Sequence, residues 1–231
     1  MNANAIQIEI ELDTTAPPLQ ELSWSEIQQF SEAGLASQFF SVGDEKNVLI
    51  NGVTYTFVIL GFDHDDKSDD SGKAGITFGM KNLLAGTYNM NPTPSNSGGW
   101  NSSAMRSRMT NTFLTQLPSD LQSAIKTVNK LATSGSQSTT IQESEDKLFL
   151  FSEREIDGAG LSEGTQYTYW VGKGASDRKL KLSNGAGSTS YWWLRSPNIS
   201  SNNYFRCFDS SGDIGYDSAS GTDGVSFGFC V

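Results

Sequence analysis

The sequence predicts an α+β domain with a small twisted antiparallel sheet, two helices and extensive loops. Short runs with alternating apolar residues are typical of strands, and one stretch has apolar residues at helical spacing. Long segments rich in Ser, Asn, Gly and Asp are typical of loops. A length of 231 residues with 36% hydrophobic content fits a single domain with a short additional arm.

Charge and composition exclude several classes of protein. A formal net charge of −10 argues against nucleic-acid binding, which needs a basic face for the phosphates. The two cysteines, Cys207 and Cys230, give neither a disulfide framework nor zinc-ligand spacing. No apolar run reaches membrane-spanning length, and no signal peptide is visible at the N-terminus. We therefore expect no nucleic-acid partner and no membrane insertion.

The first 19 residues are predicted to form a separate arm. Isoleucine or leucine stands at every second position of residues 6–12, which predicts a half-buried strand. Pro17 and Pro18 separate this strand from the rest of the chain. Because an unpaired strand of this kind is prone to aggregate, we expect it to pair with the sheet, with another copy of the chain, or with a virion protein.

The next segment, up to residue 62, predicts a short helix followed by a hairpin. Ser23 and Glu26 have the spacing of a capping box, and the amphipathic helix that they begin should end at Gly34. The dipeptide Asn51-Gly52 lies between two apolar segments and is a strong hairpin signal. A further strand is predicted at residues 76–78.

Residues 63–70 form an acidic segment that contains the only histidine, His64. Clustered carboxylates can bind calcium, but the spacing of an EF-hand is absent. The favoured interpretation is a solvated turn, and no metal site or other cofactor is predicted.

The helical region is predicted at residues 101–116 and 119–130. Met105, Met109 and Phe113 lie on one helical face and are expected in the core. Pro118 should end the first helix, and Ser119 with Gln122 should cap the second. Beyond them, the sequence predicts a polar linker at 132–140, a strand at 147–151, a helical turn capped by Ser152 and Glu155, and a strand at 167–171.

The C-terminal stretch is a polar run between two apolar segments, residues 191–194 and 225–231. From Arg195 to Val231 there is no Lys, Glu, Gln, Met or Trp. The run is instead rich in Ser, Asn, Asp, Gly and Tyr, a composition typical of antibody paratopes. A glycine-rich surface loop without a binding role would have a similar composition. Because apolar segments flank the run, we expect it to be carried on the folded body.

Six segments carry a resemblance to a known family over roughly residues 20–231. They are residues 61–65, 98–106, 124–130, 146–150, the Trp-Trp-Leu-Arg-Ser-Pro segment at 192–197, and Phe-Gly-Phe-Cys at 227–230. In this order they resemble an uncharacterised domain family of gut bacteria and their phages. Its members look like C-type-lectin-fold proteins, and some are variable proteins of diversity-generating retroelements. The resemblance therefore implies an arm at 1–19 and a C-type-lectin-like domain at 20–231.

The resemblance also implies which positions vary. In such retroelements, randomised adenines change asparagine codons to codons for other residues, but never for Lys, Glu, Gln, Met or Trp. The variable ligand-binding segment would then span about residues 198–224. Its implied variable positions are Asn202, Asn203, Tyr204, Arg206, Cys207, Asp209, Ser211, Asp213, Gly215, Tyr216, Asp217, Ser218, Ser220, Gly221 and Asp223. Gly212, Ala219 and Gly224 match fixed positions of the family.

The resulting hypothesis is a binding protein that presents a hypervariable surface to a receptor, either a protein or a glycan on a cell surface. It would act as a phage-tail or surface adhesin, located on a virion, a bacterial surface or outside the cell. No catalytic residues are predicted. The alternatives are an enzyme of the formylglycine-generating type, whose chemistry needs reactive cysteines, and a purely structural tail protein.

Two structural expectations follow from this hypothesis. The aromatic side chains of Trp192, Trp193, Phe227 and Phe229 should be buried, because aromatic pairs must dominate the core of a chain with so many loops. The side chains of residues 204–223 should be exposed on a rigid backbone.

Overall fold

The structure is a computed structural model that describes residues 17–183 and 188–231. The strand predicted at residues 6–12 lies outside the described residues. The described strands are β1 (Glu45–Ile50), β2 (Val53–Phe62), β3 (Ile76–Met80), β4 (Thr87–Tyr88), β5 (Val128–Thr133), β6 (Ile141–Asp146), β7 (Phe149–Leu150), β8 (Trp192–Pro197), β9 (Tyr204–Phe208), β10 (Ile214–Ser218), β11 (Asp223–Gly224) and β12 (Phe227–Cys230).

The described α-helices are short. They are α1 (Trp24–Glu32), α2 (Ala36–Phe39), α3 (Ala104–Arg108), α4 (Leu114–Gln116), α5 (Ser119–Ala124) and α6 (Glu153–Asp157). A π-helical turn, Met109–Phe113, joins α3 to α4, so the helix predicted at 101–116 is present with a different hydrogen-bond pattern in its middle. None of the described helices has the length and apolar character needed to cross a membrane.

The first sheet contributes part of the hydrophobic core, which extends to the second sheet and the helices. Its strand order is β1-β2-β3-β12-β7, and each pair is antiparallel. Asn51 and Gly52 join β1 to β2 with φ of 48° and 79°, which is the positive-φ pair that a tight hairpin turn requires. The hairpin prediction is confirmed.

The second sheet has the order β10-β9-β8-β11-β4. Its pairs are antiparallel except for one parallel contact, between Gly224 and Trp192. Strands β5 and β6 form a separate antiparallel pair. The mixed α+β class with several antiparallel sheets and few helices is therefore confirmed, whereas the C-type-lectin topology stays a prediction.

The region after Pro118 differs from the prediction. Ser119 was expected to cap a helix reaching Lys130, but Pro118 occupies the cap position, no side chain caps the helix, and α5 ends at Ala124. Residues 128–133 are strand β5, because Val128, Lys130 and Ala132 alternate inward and the backbone pairs with β6. The linker predicted at 132–140 is thus largely the turn of a hairpin.

The structure of residues 147–171 agrees only in part with the prediction from the sequence. The capping box of Ser152 and Glu155 is present and begins α6. The strand predicted at 147–151 is shortened to β7. The strand predicted at 167–171 is wrong: the backbone forms a 3-10 turn, in which the Trp170 amide donates to the Tyr167 carbonyl (2.9 Å).

The predicted aromatic core is confirmed. Trp192, Trp193, Phe227 and Phe229 are each at most 1% exposed. Trp24, from the capped helix α1, packs edge-on against Phe229 with ring centroids 5.5 Å apart. Both apolar segments that flank the polar run are therefore anchored in the core, although Tyr191 itself is exposed.

Candidate binding face on the C-terminal hairpin

The polar run folds into a hairpin at the edge of the second sheet. Strand β9 pairs with the buried strand β8 on one side and with β10 on the other, and β10 is the end strand. The turn between them is tightly bonded: the Asp209 amide donates to the Asp213 carbonyl (2.9 Å). The Asp209 carboxylate accepts from the amides of Ser211 (2.7 Å) and Asp213 (3.1 Å). The run is therefore ordered by its own backbone and side chains.

The buried side of the hairpin fixes it to the core. Phe205 and Cys207 of β9 are fully buried on this side. Phe208, at the end of β9 and on the other face, is also fully buried, and its ring lies 4.9 Å from that of Trp192. The buried Asn96 holds the approach to β9, because its side-chain amide donates to the carbonyls of Ser201 and Tyr204 (both 2.8 Å). These contacts make the hairpin a rigid platform.

The outer side of the hairpin carries the two tyrosines. Tyr204 of β9 and Tyr216 of β10 lie on the same face, with ring centroids 5.3 Å apart. Tyr216 is 56% exposed. Arg206 stands opposite Tyr216 in the register and forms an ion pair with Glu153 of α6 (3.1 Å). This face therefore presents two aromatic side chains beside the cationic Arg206, which is paired with the buried Glu153.

Thirteen of the fifteen positions predicted to vary are at least partly open to solvent. Exposed are Asn202, Asn203, Ser211, Asp213 and Tyr216; partly exposed are Tyr204, Arg206, Asp209, Gly215, Asp217, Ser218, Ser220 and Gly221. The exposure expected for residues 204–223 is wrong for two of the fifteen positions, Cys207 and Asp223, and also for Phe205, Phe208 and Ala219. Cys207 points to the packed side of β9, and Asp223 lies in β11 between two neighbouring strands.

The three positions predicted to be fixed are all buried. A Cβ atom at Gly212 would lie 1.8 Å from the Ala175 carbonyl oxygen, and its φ of +80° already disfavours other residues. A Cβ at Gly224 would lie 2.4 Å from a methyl carbon of Leu83. Packing therefore leaves no room for a side chain at Gly212 and Gly224, two of the three positions predicted to be fixed.

Asp223 is an unusual residue for a buried position. It is 5% exposed, and its Oδ2 has no hydrogen-bond partner among the described residues. Burial and the neighbouring Asp217 carboxylate raise the pKa of Asp223 to about 7. Burial, together with the negative charge of Asp223, also raises the pKa of the Cys207 thiol far above its usual range.

A buried ionic network that was not predicted from the sequence joins β5, α6 and β8. Lys130 of β5 donates to Asp65 (2.6 Å) and forms an ion pair with Glu155 (2.6 Å), and Arg195 of β8 binds both oxygens of Glu155 (2.5 and 2.7 Å). The side chains of all four are at most 4% exposed. Tyr167 donates a further hydrogen bond to Asp65 (3.0 Å).

The interpretation of residues 63–70 as a solvated turn is therefore wrong for Asp65. Burial alone would raise the pKa of this carboxyl, but the adjacent Lys130 holds it well below its ordinary value. The sequence signal that could have indicated the buried ionic network was a charged residue inside an apolar segment. Lys130 lies within Val128–Thr133, and Arg195 follows Trp-Trp-Leu. Charges at such positions are rarely buried unless they are paired.

The network reaches the outer face through two short connections. The hydroxyl of Ser196, the residue after Arg195, bonds the Glu163 carboxylate and accepts from the Glu153 amide (2.9 Å). Glu153 in turn pairs with Arg206. One end of the face is thereby tied to the buried charges.

Cavities near the face are small. A cavity of about 120 Å³ opens beside Arg206 and Ile199, whereas pockets for drug-sized ligands hold about 300 Å³ or more. A larger cleft of about 390 Å³ lies against His64 and Asn129 and is also lined by Asp65, Lys130 and Glu155 of the ionic network. Within residues 17–183 and 188–231, no group of three or more His, Cys, Asp or Glu side chains is arranged to hold a metal ion.

Comparison with known proteins gives one match. The family model described as a domain of unknown function (DUF6273) matches residues 74–231. That range includes every strand from β3 to β12 and the whole candidate binding face. No curated protein and no solved structure matches the chain.

Proposed function

The chain belongs to the DUF6273 family, and we propose that it is a ligand-binding protein that displays residues 198–224 as a variable recognition surface. The observation that carries this proposal is the division of the segment by burial. Positions predicted to vary are at least partly open to solvent with two exceptions, and positions predicted to be fixed are buried, with no space for a side chain at Gly212 and Gly224. A recognition surface needs this division, since residues required for folding are not free to change.

The rigidity of the hairpin supports the same function. Ordering a mobile loop on binding costs about 1–2 kcal/mol per residue in backbone entropy. Here the platform is held beforehand by the Asn96 side chain, by the Asp209 turn and by the contact of Phe208 with Trp192. Tyr204 and Tyr216 would be the main contact residues, because tyrosine gives a large contact area at little entropic cost. The absence of a large cavity beside Arg206 favours a macromolecular ligand over a small molecule.

The chemistry of the cysteines does not favour the alternative of an oxidase. Nucleophilic and metal-binding cysteines act as thiolates. Both Cys207 and Cys230 are fully buried, and burial raises the pKa of both thiols. The lectin-type topology and the origin of the variation in a retroelement remain parts of the proposal.

The genetic part of the proposal is tested by sequencing around the gene. We expect a reverse transcriptase gene and a near-copy of the 3′ end of this gene that differs only at adenine positions. If neither is present, the proposed mechanism of variation is wrong, while a non-variable binding role would still have to be tested by binding.

The binding part is tested with arrays of bacterial surface glycans and surface proteins. Tyr216→Ala and Asp213→Ala should each weaken capture of the selected target without changing the melting temperature, because both side chains are exposed. A matched control is Thr54→Ala, an exposed strand position in the first sheet, which should change neither. Equal capture by all these variants would contradict a role for the hairpin face in binding.

A further inference from the structure

The outer edge of β10 is an open β-sheet edge inside the proposed binding face. Two bonds fix the register of the hairpin: Asp209 N–H to the Asp213 carbonyl (2.9 Å), and Ala219 N–H to the Asn203 carbonyl (2.8 Å). Residues between them are paired without interruption. In an antiparallel pair, alternate residues direct both backbone groups to the partner strand and the others direct them outward. Residues 213, 215, 217 and 219 therefore bond to β9, whereas 214, 216 and 218 point away from it.

Only part of this edge is satisfied within the chain. The Ser218 amide donates to the Asp217 carboxylate (2.6 Å), and the Ser218 carbonyl accepts from the Gly221 amide (2.8 Å). The amides and carbonyls of Ile214 and Tyr216 have no partner among the described residues, and no described strand lies beyond β10. Two residues thus offer two donors and two acceptors in a row.

The edge of β1 makes a useful contrast. There the outward amide of Asn47 is bonded by the side chain of Gln20 (2.7 Å), and the buried Lys46 ties the same segment to three backbone carbonyls. Natural sheets protect their edges by such coverage. On β10 the edge is uncovered and carries two exposed apolar residues, Ile214 (38%) and Tyr216 (56%).

The charged side chains along the edge of β10 indicate which kind of strand could pair with it. Asp213 and Asp217 stand on the face opposite to Ile214 and Tyr216. The neighbouring cations are already paired, Arg206 with Glu153 and Arg178 with Asp157. An added strand would therefore meet apolar groups on one face and unpaired carboxylates on the other. It should alternate apolar or β-branched residues with Lys or Arg.

A second copy of this chain fits this edge poorly in the register that would use the open backbone groups of both Ile214 and Tyr216. If Ile214 of one copy bonded Tyr216 of another, the register would be centred on Gly215. Asp213 of each copy would then stand opposite Asp217 of the other. Like charges directly opposite each other on paired strands are destabilising.

We propose that the partner binds as an extended, basic polypeptide segment that adds a strand to the open edge of β10. This inference rests on the proposed function and specifies its ligand class. Hydrogen bonds from the main chain of Ile214 and Tyr216 provide affinity that is independent of the side chains that vary, and the side chains of the face select the sequence. A glycan would use the tyrosines and carboxylates but not the alternating backbone groups.

The test uses the full chain and a fluorescent peptide, acetyl-Lys-Val-Thr-Val-Lys-amide, followed by anisotropy. Its valines would stand opposite Ile214 and Tyr216, and its lysines opposite Asp213 and Asp217. Ile214→Pro removes an outward amide without breaking a bond to β9, and Ile214→Ala is the matched control that keeps the amide. We expect Ile214→Pro to bind about five- to tenfold more weakly than Ile214→Ala, as for the loss of one hydrogen bond. Tyr216→Pro and Tyr216→Ala should repeat this difference.

Two peptide controls keep the test valid if a proline variant fails to fold. N-methylation of both valine amides should abolish binding to the unaltered protein, and replacing both lysines by glutamate should do the same. Equal binding of the N-methylated peptide, or no binding of any peptide while a glycan is captured, would overturn the proposal. Dimers in light scattering that Ile214→Pro disrupts would also overturn it, because the occupant would then be a second copy. The melting temperatures of the two alanine variants test the proposed function separately: losses as large as those of core variants would contradict the display surface, whatever the peptide does.

Discussion

Replacing Asp223 by asparagine should stabilise the protein, and more so at high pH than at low pH. Asp223 is 5% exposed, and its Oδ2 has no hydrogen-bond partner among the described residues. The pKa of its carboxyl group in the folded protein is about 7, against an ordinary value of 3.8. Between these two values the folded chain binds more protons at this site than the unfolded chain. Stability therefore falls as the pH rises through this window and is lowest above about pH 7.

The size of the effect follows from the pKa shift. Each pKa unit corresponds to about 1.4 kcal/mol, so the full shift has an upper limit of about 4 kcal/mol. Asparagine removes the buried charge and keeps the shape of the side chain, but its amide also needs a partner in this site. We expect a net gain of about 1–3 kcal/mol near pH 8 and little change near pH 4.

The assay is urea denaturation of Asp223→Asn at several pH values between about 4 and 8. Asp213→Asn is the matched control, because the same change at an exposed position should alter stability by less than about 0.5 kcal/mol. An equal or lower midpoint for Asp223→Asn near pH 8, with an unchanged pH dependence, would refute the reasoning. A gain would mean that this predicted variable position holds a residue unfavourable to folding, as expected where variation is not selected for stability.

Three further substitutions test the platform beneath the face by denaturation. Trp193→Ala should destabilise by about 3–5 kcal/mol as a core truncation, and a midpoint shift no larger than that of a surface change would contradict it. Gly212→Ala should lower the free energy of unfolding by about 1–3 kcal/mol more than Gly172→Ala. Both glycines have φ near +80°, but only at Gly212 would the added Cβ clash with a neighbour, so equal losses would contradict the clash. Lys130→Ala should cost about 3–5 kcal/mol, because the buried Asp65 loses its ion pair and Glu155 keeps only Arg195. Lys126→Ala should cost about 1 kcal/mol or less, because its pair with Glu32 is at the surface; similar losses for both variants would contradict the network.

Local signals in the sequence predicted those elements whose cause is local. The capping boxes of α1 and α6 and the Asn51-Gly52 turn each depend on residues within four positions of one another. The burial of Trp192 and Phe229 followed from apolar content alone.

Elements whose structure depends on residues far away in the chain could not be predicted from local signals. Residues 128–130 continue a helical pattern in the sequence but form a strand because β6 pairs with them. The sequence predicted which segment forms the candidate site. It did not predict the burial of Cys207 and Asp223, because that depends on which face of the sheet packs against the core. Asp65 looked like a solvated residue because its partners, Lys130 and Tyr167, are 65 and 102 residues away in the chain.

The central claim is that residues 198–224 combine a fixed platform with freely variable side chains. The most direct measurement is saturation mutagenesis of this segment in a display format, with resistance to protease as the readout of folding. We expect most substitutions to be tolerated at Tyr204, Asp213 and Tyr216, and few at the buried Ala219 and Gly224. If the exposed positions tolerate no more substitutions than the buried ones, the segment is not a variable recognition surface.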